Sequence, residues 1–139
     1  MIIAFAKTVE FICRVCGQAF PLRSLYEAHR GSRACQERSQ VNRTVGGLRQ
    51  KGLKPLGTLI LVPEILRRAG VALRRAPVAY DERAGPKYGL WAPDWAVDGA
   101  TALCQAGYAN EEVVRLLALG PGNEELLNAL AMAALRQGP

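Results

Sequence analysis

The sequence is short of the groups that most enzymatic reactions need. Its 139 residues contain one histidine, His29. There is no Gly-Lys-Ser/Thr phosphate loop, and Gly46-Gly47 and Gly120-Pro121-Gly122 are too slight to stand for one. Paired carboxylates occur only where helices are expected to start, where capping explains them. With no nucleophile and base to nominate, a non-enzymatic protein is expected. No apolar run approaches the ~20 residues of a membrane-spanning helix, so no membrane partner is expected. The stretch MIIAFAKTVEF has neither a basic leader nor a small-residue cleavage site, which points to a cytoplasmic (or nucleoid or nuclear) protein rather than a secreted one. Acidic residues are also missing from one long stretch: none lies between Glu37 and Glu64.

What the sequence does have is a dense cluster of soft ligands. FICRVCGQAFPLRSLYEAHRGSRAC, residues 11–35, holds three of the four Cys and the only His. In a reducing compartment, clustered thiols are metal ligands more readily than disulfide partners. The spacing is Cys13-x2-Cys16-x12-His29-x5-Cys35. Two Cys separated by two residues fit a tight knuckle in which Gly17 takes a positive φ and backbone amides point at sulfur. His29 lies at the distance needed for a hairpin to fold back on one short helix, and Cys35 completes a tetrahedron after that helix breaks at Gly31. Three thiolates and a neutral imidazole around a divalent ion leave a formal charge of −1, which Arg14, Arg30 and Arg33 are near enough in sequence to offset.

These residues resemble the ββα zinc-finger family, in its variant with a final Cys in place of the second His. Phe20, four residues after Cys16, and Tyr26, three before His29, stand where that family places two apolar residues of its small core. Ser24 and Glu27 form an S-x-x-E capping box. The resemblance covers residues 9–36 and implies one structural Zn2+ held by Cys13, Cys16, His29 and Cys35. In DNA-reading members, three helix positions carry side chains that match base edges. Here those positions are Leu22, Leu25 and Ala28, which cannot read a base pair by hydrogen bonds. They form an apolar seam, so Leu22 and Leu25 are expected to contact the rest of this protein or a partner protein.

The charge is split along the chain. Residues 1–75 carry fourteen Lys and Arg against four Asp and Glu, whereas residues 76–139 carry four against eight. One half is composed to meet a polyanion and the other is not. In SQVNRTVGGLRQKGLKPLG, Val41, Val45 and Leu48 recur at helical spacing, with Ser39 as a cap and Gly52 as a stop. Gly46 and Gly47, however, each cost about 1 kcal/mol inside a helix. A short helix or a basic linker follows from this. TLILV, residues 58–62, is an apolar run that periodicity cannot assign, and Pro63 suits the first turn of a helix ended by Gly70. Val78 and Tyr80 on one side of ERAGP, with Tyr88 and Leu90 on the other, read as a β-hairpin. A helix followed by a hairpin resembles, in topology, the end of a winged-helix domain. The basic residues expected to meet nucleic acid, DNA or RNA, mainly through phosphates, are Arg43, Arg49, Lys51, Lys54, Arg67, Arg68, Arg74 and Arg75.

From Pro93 onward the pattern is helical and acidic. A helix from Pro93 reaches Gly107, Asn110 is expected to cap EEVVRLLAL, and Asn123 to cap EELLNALAMAALR. Leu103-x3-Gly107-Tyr108 followed by Val113, Val114, Leu117, Asn123 and Leu127 resembles the ubiquitin-associated domain family, a three-helix module, over residues 94–136. That family's loop reads Met-Gly-Phe or Met-Gly-Tyr, but here it is Ala106-Gly107-Tyr108, without the Met. The fold also serves proteins that never meet ubiquitin, so ubiquitin binding is not carried over, and Gly107 and Tyr108 are kept as protein-contact residues. Cys104 reads as a packed thiol.

The expected architecture is α+β, in four stretches: residues 1–36 a zinc-finger module, 37–57 a basic linker or short helix, 58–92 a helix plus β-hairpin, and 93–139 an acidic three-helix bundle. The expected function is that of a zinc-binding regulatory or accessory protein of transcription or translation, meeting nucleic acid through its basic half and a protein through its helical half. The alternative is an adaptor or inhibitor of a large complex, with no nucleic acid involved.

Overall fold

The computed structural model describes residues 10–57 and 61–137. Residues 1–9 and 58–60, and so most of TLILV, lie outside the described residues. The chain is mixed α/β, with six helices and two small antiparallel sheets among the described residues. It divides into two compact units, Met1–Val45 with Pro77–Lys87, and Gly46–Ala76 with Tyr88–Pro139.

The first unit begins with β1 (Phe11–Ile12) and β2 (Ala19–Phe20), paired antiparallel with Phe11 opposite Phe20 and Ile12 opposite Ala19. Helix α1 (Arg23–His29) follows. The expected capping box does not form: Leu22 is the N-cap, without a side-chain hydrogen bond, and Glu27 instead accepts from Arg23 Nε at 3.1 Å. Arg23 lies one helical turn before Glu27, where an opposite charge competes directly for that carboxylate. The chain reverses at Gly31, whose φ of +70° is open to glycine but strained for other residues.

Helix α2 (Arg33–Gln50) is longer than the sequence suggested and runs unbroken through Gly46 and Gly47. Its cap is Ser32, whose Oγ accepts from the Cys35 backbone N–H at 3.1 Å; Ser39, the expected cap, is buried within the helix. Val41 and Leu48, two turns apart, are both buried, and this tertiary anchoring outweighs the intrinsic cost of two glycines.

In the second unit, β3 (Leu53–Pro55) lies against β5, with Leu53 opposite Pro93 and Pro55 opposite Trp91. The sheet order is β3-β5-β4, where β4 is Arg74–Asp81 and β5 is Gly85–Pro93. Helix α3 (Val62–Arg68) has Pro63 in its first turn. Helices α4 (Asp94–Gln105), α5 (Asn110–Ala118) and α6 (Glu124–Arg136) complete the unit. Its core is built from apolar residues at helical spacing: Val62, Ile65 and Leu66 of α3, Ala96, Val97, Ala100 and Leu103 of α4, Val113, Leu116 and Leu117 of α5, and Leu126 and Ala133 of α6. Helix α4 is the hub, in contact with α3, α5 and α6. Its neighbours come close because its buried face is small: a Cβ on Gly99 would meet Leu117 Cδ2 at 3.2 Å.

Asn123 caps α6 as expected, its Oδ1 accepting from the Glu125 and Leu126 N–H groups at 2.9 and 3.3 Å. Asn110 does not cap α5. It is the first helical residue, and the N-cap is Ala109, because the chain turns one residue earlier than the Asn signal implies. Cys104 is half-buried against the core, and burial raises its thiol pKa. Among the described residues no helix is long and apolar enough to cross a membrane.

Candidate metal centre

The first unit brings together the four residues that the spacing singled out. Cys13 and Cys16 come from the turn after β1, His29 from the last turn of α1, and Cys35 from the first turn of α2. The turn is a knuckle closed by Gly17 N–H to Cys13 O at 2.7 Å and Cys13 N–H to Gln18 O at 2.8 Å, with Gly17 at φ +81° as the sequence required. Cys13 Sγ lies 3.5 Å from Cys35 Sγ, and Cys16 Sγ lies 3.1 Å from His29 Nε2. All four ligand atoms fall within 4.8 Å of one another. A tetrahedral ion with bonds of about 2.0–2.3 Å sets its ligands roughly 3.5–3.8 Å apart, so the constellation is of the right size to hold one metal ion. The three Cys are buried, and their thiols are free rather than joined in disulfides.

The surroundings orient and tune these groups. Phe20 lies against the His29 ring, centroids 4.7 Å apart, and Tyr26 packs beside Phe11, Phe20 and the cysteines. Backbone N–H groups in the knuckle, that of Cys16 foremost, hold the Cys13 thiol well below its usual value, at about 6, whereas burial pushes Cys16 up. Such a pair offers a ready thiolate at neutral pH and a second that gives up its proton on binding an ion. Arg14 and Arg30 line a cleft of about 230 Å³ beside Cys13. Arg33 instead pairs with Glu37 at 3.0 Å.

One fastener of the centre escaped sequence reasoning. Asn42 Nδ2 donates to Cys16 O at 2.8 Å, tying α2 to the knuckle. Asn42 is two turns along α2 from Cys35, on the same face, and that periodicity was the available signal. Tyr80 Oη donates to Glu37 at 3.1 Å, Arg38 pairs with Glu82 at 3.2 Å, and Gln18 also hydrogen-bonds Glu82. These contacts tie the β4–β5 turn into the first unit, a long-range pairing with no local signature.

The other singled-out residues are not gathered into one site. Leu22 and Leu25 are 59% and 48% exposed. Gly107 adopts φ +92°, and Tyr108 packs against the core with the Arg136 guanidinium 5.6 Å over its ring. Among the basic residues, Arg43 bonds Ser39 Oγ, Lys54 pairs with Asp98 at 2.7 Å, and Arg68 pairs with Glu111 at 2.5 Å. Arg49 lies 5.8 Å over the Trp91 ring and Arg75 lies 5.7 Å over that of Tyr88. Lys51, Arg67 and Arg74 are exposed and make no ion pair among the described residues. No protein-family model matches the chain, nor does any curated protein or solved structure.

Proposed function

We propose that the chain is a small, non-enzymatic accessory protein whose Cys13, Cys16, His29 and Cys35 hold one structural zinc, and whose basic surface meets nucleic acid through phosphates. Three thiolates and an imidazole are a soft tetrahedral set suited to zinc, and four protein ligands leave no open position for catalysis. The order β1–β2–α1 supports reading this unit as a ββα finger. The observation that carries the nucleic-acid reading is the charge split of the sequence, fourteen Lys and Arg against four Asp and Glu in residues 1–75. Arg49, Lys51, Arg67, Arg74 and Arg75 are exposed in the second unit and are the phosphate-contact candidates. Lys54 and Arg68 contribute less, since Asp98 and Glu111 already engage them. A protein partner in transcription or translation machinery, in a reducing compartment, completes the reading.

The test is fluorescence anisotropy of the zinc-loaded chain with generic duplex DNA and structured RNA across a salt series. Affinity should fall steeply with salt, and neutralising any one of the five residues should reduce the log–log slope by about 1 if it contacts a phosphate. Salt-insensitive binding to one defined sequence, or none at low salt, would overturn the reading.

The second reading, a protein-interaction adaptor without nucleic acid, is favoured by one observation. Ile12, Val15, Leu22 and Leu25, all in the first unit, are each roughly half exposed or more. Apolar side chains left uncovered in this way are what a protein partner covers.

A further inference from the structure

The end of α3 and the β4–β5 hairpin enclose an open cleft of about 370 Å³ lined by Arg67, Arg75, Tyr88, Gly89 and Leu90. No carboxylate is in this lining. Tyr88 is 58% exposed although it sits mid-strand, and one side of its ring is backed by the Arg75 guanidinium at 5.7 Å. Arg67 reaches the same cleft from α3, while its neighbour Arg68 is occupied by Glu111. A simple Arg–Tyr pair on a sheet accounts for Arg75 over Tyr88. It does not account for a second arginine lining the cleft from another element, nor for the cavity itself.

Resting on the nucleic-acid reading above, we propose that this cleft seats one unpaired nucleotide of a single strand. Its base stacks on the exposed Tyr88 ring and its phosphate is held by Arg67 and Arg75. In a duplex both faces of each base are covered by its neighbours, so a lone aromatic platform gains nothing there. Single strands and loops offer free faces, and aromatic rings flanked by arginines are the side chains that exploit them. Guanidinium groups suit a phosphate by their fork of donors and stack as well as pair. Leu90 gives the cleft an apolar wall, and Gly89 adds no side chain to fill it.

The probes are end-labelled oligothymidylate, oligouridylate and a mixed-sequence duplex of equal length, titrated by anisotropy into the zinc-loaded full chain across a salt series that starts at low salt. Tyr88→Leu should weaken binding of the single strands about tenfold, the scale of one stacked base, and leave duplex binding within about twofold. Tyr88→Phe, which keeps the ring, should retain single-strand binding, and Arg67→Gln should weaken the single strands while flattening their salt slope. Equal loss in Tyr88→Leu and Tyr88→Phe, or wild-type affinity in Tyr88→Leu, would overturn the cleft assignment while leaving salt-dependent binding of the basic surface intact. Absence of binding to all three probes would overturn the nucleic-acid reading together with it.

Discussion

The two units of this chain are held together by different chemistry. Around the candidate metal centre, the buried apolar cluster consists of three cysteines with Tyr26 against them, and the remaining fasteners are the ring contacts of Phe11 and Phe20, hydrogen bonds and solvent-facing ion pairs. The second unit buries fourteen residues in one apolar cluster contributed by four helices and the sheet. Exposed ion pairs contribute little to stability, and a module this small lacks the core to offset its chain entropy. On the zinc reading proposed above, one unit draws its stability from a bound ion, whereas the other relies on packing. Separate energy sources allow the two to fail separately.

The largest expected effect is on the metal side. Structural zinc in small fingers is worth about 10–16 kcal/mol at neutral pH, which exceeds the stability of most whole domains. His29→Ala, or chelation, should collapse hydrogen-exchange protection across residues 10–32 while amides of Leu116 and Leu117 keep theirs. Protons should act as a graded version of the same experiment. The ion binds thiolates, so affinity falls as pH falls. Cys16, raised by burial, must release a proton on binding through the neutral range; Cys13, held at about 6, must do so as well only below that pH. Competition against a chromophoric chelator from about pH 8 to about pH 5 should thus steepen near pH 6. Protection in residues 10–32 that survives chelation would remove the contrast between the units.

A smaller effect approaches the comparison from the other side. Leu103 is fully buried in the last turn of α4, and Leu103→Ala should cost about 2–5 kcal/mol by lost transfer energy and a residual cavity. Both tryptophans, Trp91 and Trp95, belong to the second unit, so their fluorescence in a urea titration reports that unit alone. The midpoint should drop while zinc stays bound. Zinc release in step with the tryptophan transition would mean that the two units unfold as one.

The same contrast governs what could be read from the sequence. The convergence of Cys13, Cys16, His29 and Cys35 was legible because metal-ligand spacing is restrictive: Cys13-x2-Cys16 demands a knuckle with a positive-φ residue, and Gly17 is there at +81°. The three C-terminal helices were legible because burial on one face imposes a 3.6-residue period, as at Val113, Leu116 and Leu117. Helix α2 was not. Its intrinsic preference is broken by Gly46 and Gly47, and what holds it is burial of Val41 and Leu48 together with Ser32 at its start, facts that depend on tertiary neighbours. The tie of Tyr80 and Arg38 to Glu37 and Glu82 joins residues more than forty apart and leaves no periodic trace. Tyr88 was read only as one strand residue of a hairpin; its cleft exists because α3 brings Arg67 to it.

The smallest expected effect tests whether capping follows geometry or residue type. Asn110 and Asn123 stand at equivalent places before acidic first turns, and sequence alone assigns them the same role. Only Asn123 accepts from the amides of its helix; Asn110 is already inside α5. Asn123→Ala should therefore destabilise the second unit by about 1 kcal/mol, the usual worth of a cap. Asn110→Ala should stay within about 0.5 kcal/mol of wild type, since at a helical position alanine is the better helix former. Both are read from the tryptophan transition under identical conditions, so the difference between them cancels common error. Equal losses would place Asn110 at the cap after all, and would shift the start of α5 by one residue.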